Sequence, residues 1–187
     1  MRVIAGKFRS RPLRSLRGLD LRPTSDRLRE TLFDVLTAGN PEALEGSVWL
    51  DLFAGTGAVG IEALSRGASM VYVVESSKRA AELIKLNLKS LGISAGFEIL
   101  QKDALRGIAD LERKQVSLDF IFFDPPYRLH EAYRETLERL ANSALSRNAL
   151  VVAEHDKKFD PGQEFGPLRR VRKLEQGDVS LSFYKRA

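Results

Sequence analysis

The sequence contains no cysteine, only two histidines and no long hydrophobic run. Without cysteine the chain forms no disulfide, thiolate zinc site or iron–sulfur cluster, and two histidines are too few for a histidine-rich metal site. We therefore predict no metal. No apolar stretch approaches the roughly eighteen residues of a membrane-spanning helix, and no signal-peptide core follows Met1. We expect a cytoplasmic protein without a membrane partner.

Positive charge is scarce in the middle of the chain and concentrated at its two ends. The net charge is +5, to which residues 1–30 contribute +6, residues 169–187 contribute +4 and residues 31–168 contribute −5. In the first thirty residues, arginine outnumbers lysine eight to one. This separation favours a polyanion-binding surface, because arginine binds phosphates and stacks on unpaired bases. A solvated basic arm is the alternative.

The apolar pattern predicts one α/β domain. A chain of 187 residues, 43% of them hydrophobic, can bury a full core. Beyond Val48, apolar runs alternate with helical patterns, which predicts right-handed βαβ units in a parallel sheet, and a final hairpin turns at Gly177. The predicted strands cover 48–53, 70–75, 97–100, 118–123, 149–153, 168–176 and 179–185, with helices over 58–66, 77–91 and 131–145 and a short one after residue 103. We predict a Rossmann-like, seven-stranded, mostly parallel sheet with helices on both faces.

The amino-terminal part of the chain has a different pattern. Residues 2–21 alternate short apolar and basic segments, which predicts an extended arm or small hairpin outside the nucleotide-binding unit. A helix follows, with Thr24 or Ser25 as its cap. We therefore divide one compact domain into residues 1–40, a basic arm with a helix, and residues 41–187, the α/β unit.

The tetrapeptide Asp124-Pro125-Pro126-Tyr127 directly follows a predicted strand, where open α/β sheets bind their ligands. Two prolines fix the backbone and remove two N–H donors, so the loop is rigid and its carbonyls should face outward. Asp124 adds a carboxylate, and Tyr127 adds a ring on which a base can stack. Such acceptors suit the exocyclic amino group of a nucleobase. Bonds to Asp124 and to the Pro125 carbonyl would draw that nitrogen toward tetrahedral geometry and aim its lone pair at an electrophile.

A second motif lies about seventy residues upstream. Gly55, Gly57 and Gly60 form a G-x-G-x-x-G pattern between a predicted strand and a predicted helix, and Glu75 matches the acidic residue expected about twenty positions further on. The pattern is shared with NAD and FAD enzymes. A glycine turn that only packs a helix against a strand is the structural alternative.

Two further carboxylates lie at or near predicted strand ends. Asp51 lies inside an apolar strand, where a carboxylate is costly unless it holds a partner, and the ammonium of a sulfonium-bearing amino acid would be one. Asp103 follows the strand over 97–100, where it could bond an adenine amino group or simply cap the next helix. With Glu75, these residues line one edge of the predicted sheet.

Together these motifs carry a resemblance to a known family. Asp51-Leu-Phe-Ala-Gly55-Thr-Gly57, Glu75 and Asp124-Pro-Pro-Tyr127 resemble the class I amino methyltransferases that use S-adenosylmethionine. The stretches over 2–13 and 22–33 are similar to the bacterial family that methylates guanine N2 in 16S ribosomal RNA. The resemblance covers nearly the whole chain.

The resemblance implies a cofactor, a substrate and a set of site residues. The cofactor is S-adenosylmethionine, the product is S-adenosylhomocysteine, and the substrate is 16S ribosomal RNA in an assembling small subunit, bound by a monomer. The implied cofactor-binding residues are Asp51, Phe53, Ala54, Gly55, Thr56 and Gly57 for the methionine part, Glu75 and Ser76 at the ribose, and Asp103 and Ala104 at the adenine. The implied base-binding residues are Asp124, Pro125, Pro126 and Tyr127. From the basic character of the first thirty residues we predict that RNA is bound by Lys7, Arg9, Arg11, Arg14, Arg22 and Arg27.

One departure from the wider pattern leaves the target base open. Several other ribosomal guanine-N2 enzymes carry Asn where this chain has Asp124, whereas Asp is common among adenine-N6 enzymes. An adenine-N6 methyltransferase acting on DNA or RNA is therefore an alternative. A non-enzymatic RNA-binding assembly factor and an NAD-linked dehydrogenase are two others, although the chain offers no evident residue for hydride chemistry. We assign no role to His155, which follows a predicted strand.

Overall fold

A sheet of eight strands with helices on both faces forms the computed structural model, which describes residues 1–15 and 24–187. The helices are α1 (Asp26–Thr37), α2 (Ala58–Ser65), α3 (Lys78–Ser90), α4 (Ala104–Arg113) and α5 (His130–Ala141), with a 3₁₀ turn at Ala144–Ser146. The strands are β1 (Val48–Leu52), β2 (Met70–Val74), β3 (Phe97–Leu100), β4 (Phe120–Phe123), β5 (Leu150–Asp156), β6 (Glu164–Phe165), β7 (Leu168–Gln176) and β8 (Val179–Arg186). In the described ranges, no helix has the length and apolarity needed to cross a membrane.

The strand order places β1 and β4 at the centre of the sheet. The order is β3-β2-β1-β4-β5-β8-β7-β6, and the five strands from β3 to β5 are parallel. The chain first adds β2 and β3 on one side of β1 and then adds β4 on the other side. This reversal is the switch point at which doubly wound sheets bind ligands, beyond the carboxyl ends of the strands. We call that edge of the sheet the carboxyl edge.

The sheet has one strand more than the sequence predicted. The predicted hairpin is confirmed as β7 and β8, which turn at Gly177 with a φ of 62°. The additional strand, β6, is two residues long and pairs Phe165 with Leu168 and Glu164 with Arg169. A pair of residues is too short to show the alternation by which strands are recognised, so the prediction of seven strands was wrong by this short edge strand.

The two faces of the sheet carry separate cores, because successive side chains of a strand point in opposite directions. Trp49 points to the face covered by α1, α2 and α3, and its ring stacks on Phe33 at 5.3 Å and on Phe120 at 4.7 Å between centroids. Leu50 points to the opposite face, which α4 and α5 cover. Asp51 lies two residues after Trp49 and therefore shares the face of α2.

The described part of the amino-terminal arm is a small hairpin that docks on α2. The Val3 N–H donates to the Arg11 carbonyl at 3.0 Å, and Val3 is fully buried. The Ile4 and Ala5 N–H groups donate to the two carboxylate oxygens of Glu62 at 2.8 and 2.9 Å. The sequence predicted a hairpin outside the nucleotide-binding unit, whereas this hairpin shares its core.

A buried ion pair stabilises the packing of the hairpin against two helices. Arg29 of α1 and Glu62 of α2 are both inaccessible to solvent and lie 3.8 Å apart. The Arg29 guanidinium also donates to the Arg2 carbonyl at 2.7 Å and to Asp26 at 2.6 Å. Removing one partner of such a pair typically costs about 3–5 kcal/mol because the other charge stays buried. The arm is thus held by the same charged group that joins α1 to α2.

Candidate active site

The loop between β1 and α2 has an unusual backbone conformation. Phe53, Gly55 and Gly57 all have positive φ, at 58°, 56° and 73°. Such a conformation is costly for a phenylalanine and is typical of functional loops. The Ala54 N–H ties the loop to β2 by donating to the Val74 carbonyl at 3.2 Å. We call residues 53–57 the glycine loop.

The glycines of this loop have different physical roles. A Cβ on Gly57 would lie 3.1 Å from the Ile84 side chain, and one on Gly60 would lie 2.9 Å from Val71, so both permit close packing of α2. A Cβ on Gly55 would meet nothing closer than 3.9 Å. The packing alternative therefore accounts for Gly57 and Gly60, whereas Gly55 borders open space at the amino end of α2, where anionic groups bind.

Thr56 connects the glycine loop to the arm and to α3. Its hydroxyl lies 3.8 Å from the Met1 sulfur, and its carbonyl accepts a bond from the buried Asn87 amide at 3.1 Å. The Asn87 side chain also accepts the Arg14 N–H at 2.9 Å. One buried amide thus holds the loop and the end of the hairpin together.

Asp51 is a buried carboxylate next to the glycine loop. Only 1% of the residue is exposed, and its Oδ2 accepts the Gly60 N–H at 3.0 Å. Burial raises the pKa of Asp51 to about 7, with a smaller raising effect from the charge of Glu75, and the Gly60 bond opposes the shift. Such a group gains most from a nearby cation, because a cation stabilises the ionised form that burial disfavours.

Glu75 follows β2 and braces the glycine loop from the other side. Its Oε2 accepts the Gly55 N–H at 2.8 Å, and its Oε1 accepts the Ser77 N–H at 2.7 Å. Ser76, which lies between Glu75 and Ser77, is exposed at the carboxyl edge. Each carboxylate oxygen keeps a second lone pair, so Glu75 can also accept bonds from a ligand's hydroxyl groups.

Asp103 is the amino-terminal cap of α4. Its Oδ1 accepts the Arg106 N–H at 2.9 Å, and its Oδ2 lies 3.3 Å from the Arg106 guanidinium. The capping alternative is therefore confirmed. The carboxylate remains half exposed at the carboxyl edge, and Ala104 beside it is buried.

The tetrapeptide, residues 124–127, lies beside the glycine loop. In the register of the parallel strands, Leu52 pairs with Phe123, so Phe53 and Asp124 are level on neighbouring strands. The loop is closed by the Leu129 N–H, which donates to the Pro126 carbonyl at 2.8 Å. The structure thus brings the two sequence motifs together at the switch point of the sheet.

The four residues of the tetrapeptide differ in exposure and in contacts. Asp124 and Tyr127 are partly buried, Pro125 is buried and Pro126 is exposed. The sequence predicted carbonyls that face outward, yet the Pro125 carbonyl already accepts a bond from the buried Tyr133 hydroxyl at 3.1 Å. A carbonyl oxygen has two lone pairs, so one remains for a ligand.

The chain is similar to known methyltransferases over nearly all of its length. The family model described as Conserved hypothetical protein 95 matches residues 1–185. Ribosomal RNA small subunit methyltransferase D of Haemophilus influenzae is 37% identical over 158 residues, covering 84% of this chain and 79% of that protein. Protein YlbH of Bacillus subtilis is 33% identical, covering 100% of this chain and 99% of YlbH. The chain belongs to the family of ribosomal RNA small subunit methyltransferase D.

Solved structures of class I methyltransferases share the fold of this family member. YhhF from Escherichia coli superposes with a TM-score of 0.82 at 28% identity, covering 100% of this chain and 97% of YhhF. The structure of SMU.776 complexed with SAH superposes with a TM-score of 0.61 at 14% identity, covering 81% of this chain and 49% of that chain, and its likeness is one of fold. The predicted Rossmann-like class I fold is confirmed.

In this member of the methyltransferase D family, the predicted RNA-binding residues occupy different places. The Lys7 N–H donates at 2.7 Å to the carbonyl of Ser65, the last residue of α2, so the hairpin tip with Lys7 and Arg9 lies about 12 Å, one helix length, from the glycine loop. The Arg11 guanidinium donates to the Ser90 carbonyl at the end of α3. Arg14 is held beside Thr56, because both bond to the Asn87 side chain. Arg27 is exposed in the first turn of α1, and Arg22 lies outside the described residues.

Two residues of the site were not recognised in the sequence. Glu154 of β5 is buried, and its Oε1 accepts the Tyr127 hydroxyl at 3.2 Å. Tyr133 of α5 is fully buried next to the tetrapeptide, and burial raises the pKa of its hydroxyl, which therefore stays protonated as a donor. A carboxylate within an apolar strand was the signal that identified Asp51, and the same signal was present at Glu154.

His155 is a buried structural residue. Its Nδ1 lies 2.9 Å from the Asp156 carbonyl and its Nε2 lies 2.9 Å from the Ser182 hydroxyl, so the neutral ring donates from Nδ1 and accepts at Nε2. Burial is the main cause that lowers its pKa below the usual 6.5. Elsewhere in the described parts of the chain, no three side chains of the kinds that ligate metals are grouped so that they could hold an ion.

Replacing His155 with glutamine should reduce the decrease in the free energy of unfolding that occurs in mild acid. The unfolded chain binds a proton at His155 near pH 6.5, whereas the folded chain binds it only at lower pH. The neutral ring therefore contributes fully to the free energy of unfolding above about pH 6.5, and this contribution decreases as the pH falls below that value. Urea unfolding of both proteins between pH 7.5 and 5.5 measures this. Equal slopes of unfolding free energy against pH in both would contradict the assignment.

Proposed function

We propose that the protein transfers a methyl group from S-adenosylmethionine to the exocyclic N2 of a guanine in 16S ribosomal RNA. The observation that carries the proposal is the register of β1 and β4, which places the glycine loop and the tetrapeptide side by side at the switch point. A methyl donor bound at the glycine loop and a base bound at the tetrapeptide would be within reach of each other. The family relationship supports ribosomal RNA as the substrate.

The residues present fit this cofactor. When bound, S-adenosylmethionine supplies an electrophilic methyl group on a sulfonium. Asp51 would pair with the ammonium of its methionine part, while Gly55 leaves room for the chain and Glu75 accepts bonds from the ribose hydroxyls. Asp103 and Ala104 would border the adenine. The fit rests on the buried carboxylate of Asp51, whose charge needs a cation, and on the open space at Gly55.

The tetrapeptide would orient the acceptor nitrogen. Asp124 and the second lone pair of the Pro125 carbonyl accept one N–H each, so the nitrogen lone pair turns out of the base plane and toward the methyl group. The new N–C bond would form as the S–C bond breaks, which leaves the electron pair on the sulfur of S-adenosylhomocysteine, and the nitrogen would then lose one proton to water. Because orientation and exclusion of water supply most of the rate enhancement, no strong base is needed.

The base has to leave its stack to reach this loop, which is cheapest in a loop or bulge of RNA. Tyr127, held by Glu154, offers a ring for stacking. We propose that residues 1–40 bind the RNA and cover the cofactor, that residues 41–187 perform the transfer, and that the protein acts in the cytoplasm as a monomer on the assembling small subunit.

The proposal is tested by incubating the protein with labelled S-adenosylmethionine and small subunits that lack its modification. Nuclease digestion and mass spectrometry then identify the methylated nucleoside and its position. We expect N2-methylguanosine at one site. Label in N6-methyladenosine would replace the proposed base by the adenine alternative, and no label in subunits, naked RNA or DNA would contradict methyl transfer. Naked 16S RNA, tested in parallel, shows whether the assembled subunit is needed.

Reversing the charge of Arg27 should weaken RNA binding specifically. Arg27 lies three residues after Thr24, whose hydroxyl donates to Glu154 at 2.9 Å beside the tetrapeptide. Arg27→Glu should raise KM for small subunits about tenfold and lower the slope of log KM against log salt by about one, as expected for one lost phosphate contact. The matched control is Arg147→Glu, exposed before β5 at the opposite edge of the sheet. Equal effects of the two reversals would contradict a local contact.

A further inference from the structure

Glu154 connects β5 to two other parts of the molecule at the carboxyl edge. Phe123 pairs with Ala153, so Glu154 lies level with Asp124 on the neighbouring strand. Only 2% of Glu154 is exposed. Its Oε1 accepts the Tyr127 hydroxyl at 3.2 Å, and its Oε2 accepts the Thr24 hydroxyl at 2.9 Å. One buried carboxylate therefore bonds both the tetrapeptide and the segment that leads into α1.

The backbone of the same residue provides a second connection. The Tyr133 hydroxyl donates to the Glu154 carbonyl at 3.0 Å and to the Pro125 carbonyl at 3.1 Å. The tetrapeptide is thus held at Pro125 through Tyr133 and at Tyr127 through the Glu154 side chain. The intervening Pro126 is rigid and exposed, and its carbonyl accepts the Leu129 N–H, so the contacts at Pro125 and Tyr127 act together with that bond to orient the loop.

We propose that Glu154 is a positioning residue of the proposed methyl transfer: it fixes the Tyr127 ring in the base pocket and couples that ring, through Thr24, to the amino-terminal segment that binds RNA. The inference rests on the proposed function. Glu154 does not touch the reacting atoms, since its carboxylate is occupied with the hydroxyls of Tyr127 and Thr24. Its effect on the reaction passes through the orientation of the tetrapeptide.

A double-mutant cycle separates this coupling from a general effect on the fold. Tyr127→Phe keeps the ring and loses only the hydroxyl, so its effect depends on Glu154 being present. We expect it to lower kcat/KM for small subunits about tenfold in the wild-type protein and less than about twofold in Glu154→Ala. An equal loss in both backgrounds would overturn the coupling.

Two further variants keep the test informative if Glu154→Ala folds poorly. Glu154→Gln retains an acceptor oxygen of the same shape and should restore most of the activity lost in the alanine variant. Thr24→Val, which removes the other hydroxyl, should raise KM for small subunits about fivefold while kcat stays within about twofold. Affinity for S-adenosylhomocysteine, measured by calorimetry, should be unchanged in all variants. A parallel loss of cofactor affinity would indicate a structural role instead.

A readout that needs no activity distinguishes failure of this inference from failure of the proposed function. The Leu129 N–H, which closes the tetrapeptide loop on Pro126, reports the order of that loop. In Glu154→Ala, hydrogen exchange over 127–130 should become at least about fivefold faster, while the amides of β2, three strands away from β5, are unchanged. Unchanged exchange over 127–130 would overturn the positioning role even if methyl transfer is established. Absence of methyl transfer by the wild-type protein would contradict the proposed function alone.

Discussion

Replacing Asp124 with alanine is expected to reduce methyl transfer at least about a hundredfold while affinity for S-adenosylhomocysteine stays within about twofold. The carboxylate would bond the amino group of the base most strongly as positive charge develops on its nitrogen, so its removal costs more in the transition state than in the ground state. The residues proposed to bind the cofactor follow other strands. Transfer of label to undermodified small subunits and calorimetry with S-adenosylhomocysteine measure the two quantities separately.

Asparagine at position 124 is the matched control. It keeps the shape of the side chain and one acceptor oxygen but removes the charge, so Asp124→Asn should retain clearly more activity than Asp124→Ala. If alanine weakened cofactor binding as much as it slowed turnover, Asp124 would be a residue of the cofactor site or of the fold. If asparagine were as inactive as alanine, the charge of Asp124 would matter more than its geometry.

Much of the fold could be predicted because each element has a local signature. The run at 97–100 is β3 as predicted, and Ser25, one of the two proposed caps, starts α1 by accepting the Leu28 N–H at 3.1 Å. Helix 131–145 was predicted as one segment, but Asn142 ends α5 and Ser143 caps a separate 3₁₀ turn. A polar pair inside an apolar pattern is a weak local signal, which is why this break was missed.

The contacts of the arm could not be predicted, because they join residues far apart in the sequence. Glu62 is a carboxylate within the largely apolar helix α2, and its partners are not evident until Ile4, Ala5 and Arg29 are placed around it. Local periodicity says which face of a helix is apolar but not which distant segment covers it. The sequence therefore predicted the hairpin but not the helix on which it docks.

The candidate site was predicted as far as single residues can indicate it. Buried strands followed by glycines or prolines gave the positions of the glycine loop and the tetrapeptide, and the parallel sheet brings their ends together. The sequence did not show that Tyr133 would bond the Pro125 carbonyl or that Glu154 would hold Tyr127. Partners of this kind depend on the register of β4 and β5, which no local pattern specifies.

Replacing Asp51 with asparagine is expected to weaken S-adenosylmethionine binding about a hundredfold. Asparagine has the same shape and can still accept the Gly60 N–H, so the backbone of the glycine loop is preserved. What is lost is the charge that would pair with the ammonium of the cofactor, and losing one partner of a buried ion pair is costly. Calorimetry at pH 8, where Asp51 is mostly ionised, measures the difference. Affinity within about threefold of wild type would contradict the assigned contact.

The pH dependence of binding gives an independent check of the same contact. Because the pKa of ligand-free Asp51 is about 7, the carboxylate must lose a proton before it can pair with a cation below that pH. Wild-type affinity should therefore rise about tenfold between pH 6 and pH 8 and level off above, whereas Asp51→Asn should show no such rise. A parallel rise in the variant would mean that another group titrates.

The stability of ligand-free Asp51→Asn should change in the opposite direction to its affinity. In the folded chain the pKa of Asp51 is raised from 3.8 to about 7. The protonated carboxyl therefore contributes fully to the free energy of unfolding below pH 3.8, and this contribution is lost as the pH rises to about 7. At pH 8 the neutral asparagine avoids this loss, and the variant should be more stable than wild type, by up to about 4 kcal/mol. Thermal unfolding of the ligand-free proteins tests this. A variant that binds the cofactor poorly but unfolds at a higher temperature cannot owe its weak binding to misfolding. The buried charge of Asp51 would then lower the free energy of unfolding of the ligand-free protein, and only a cationic ligand would offset that loss.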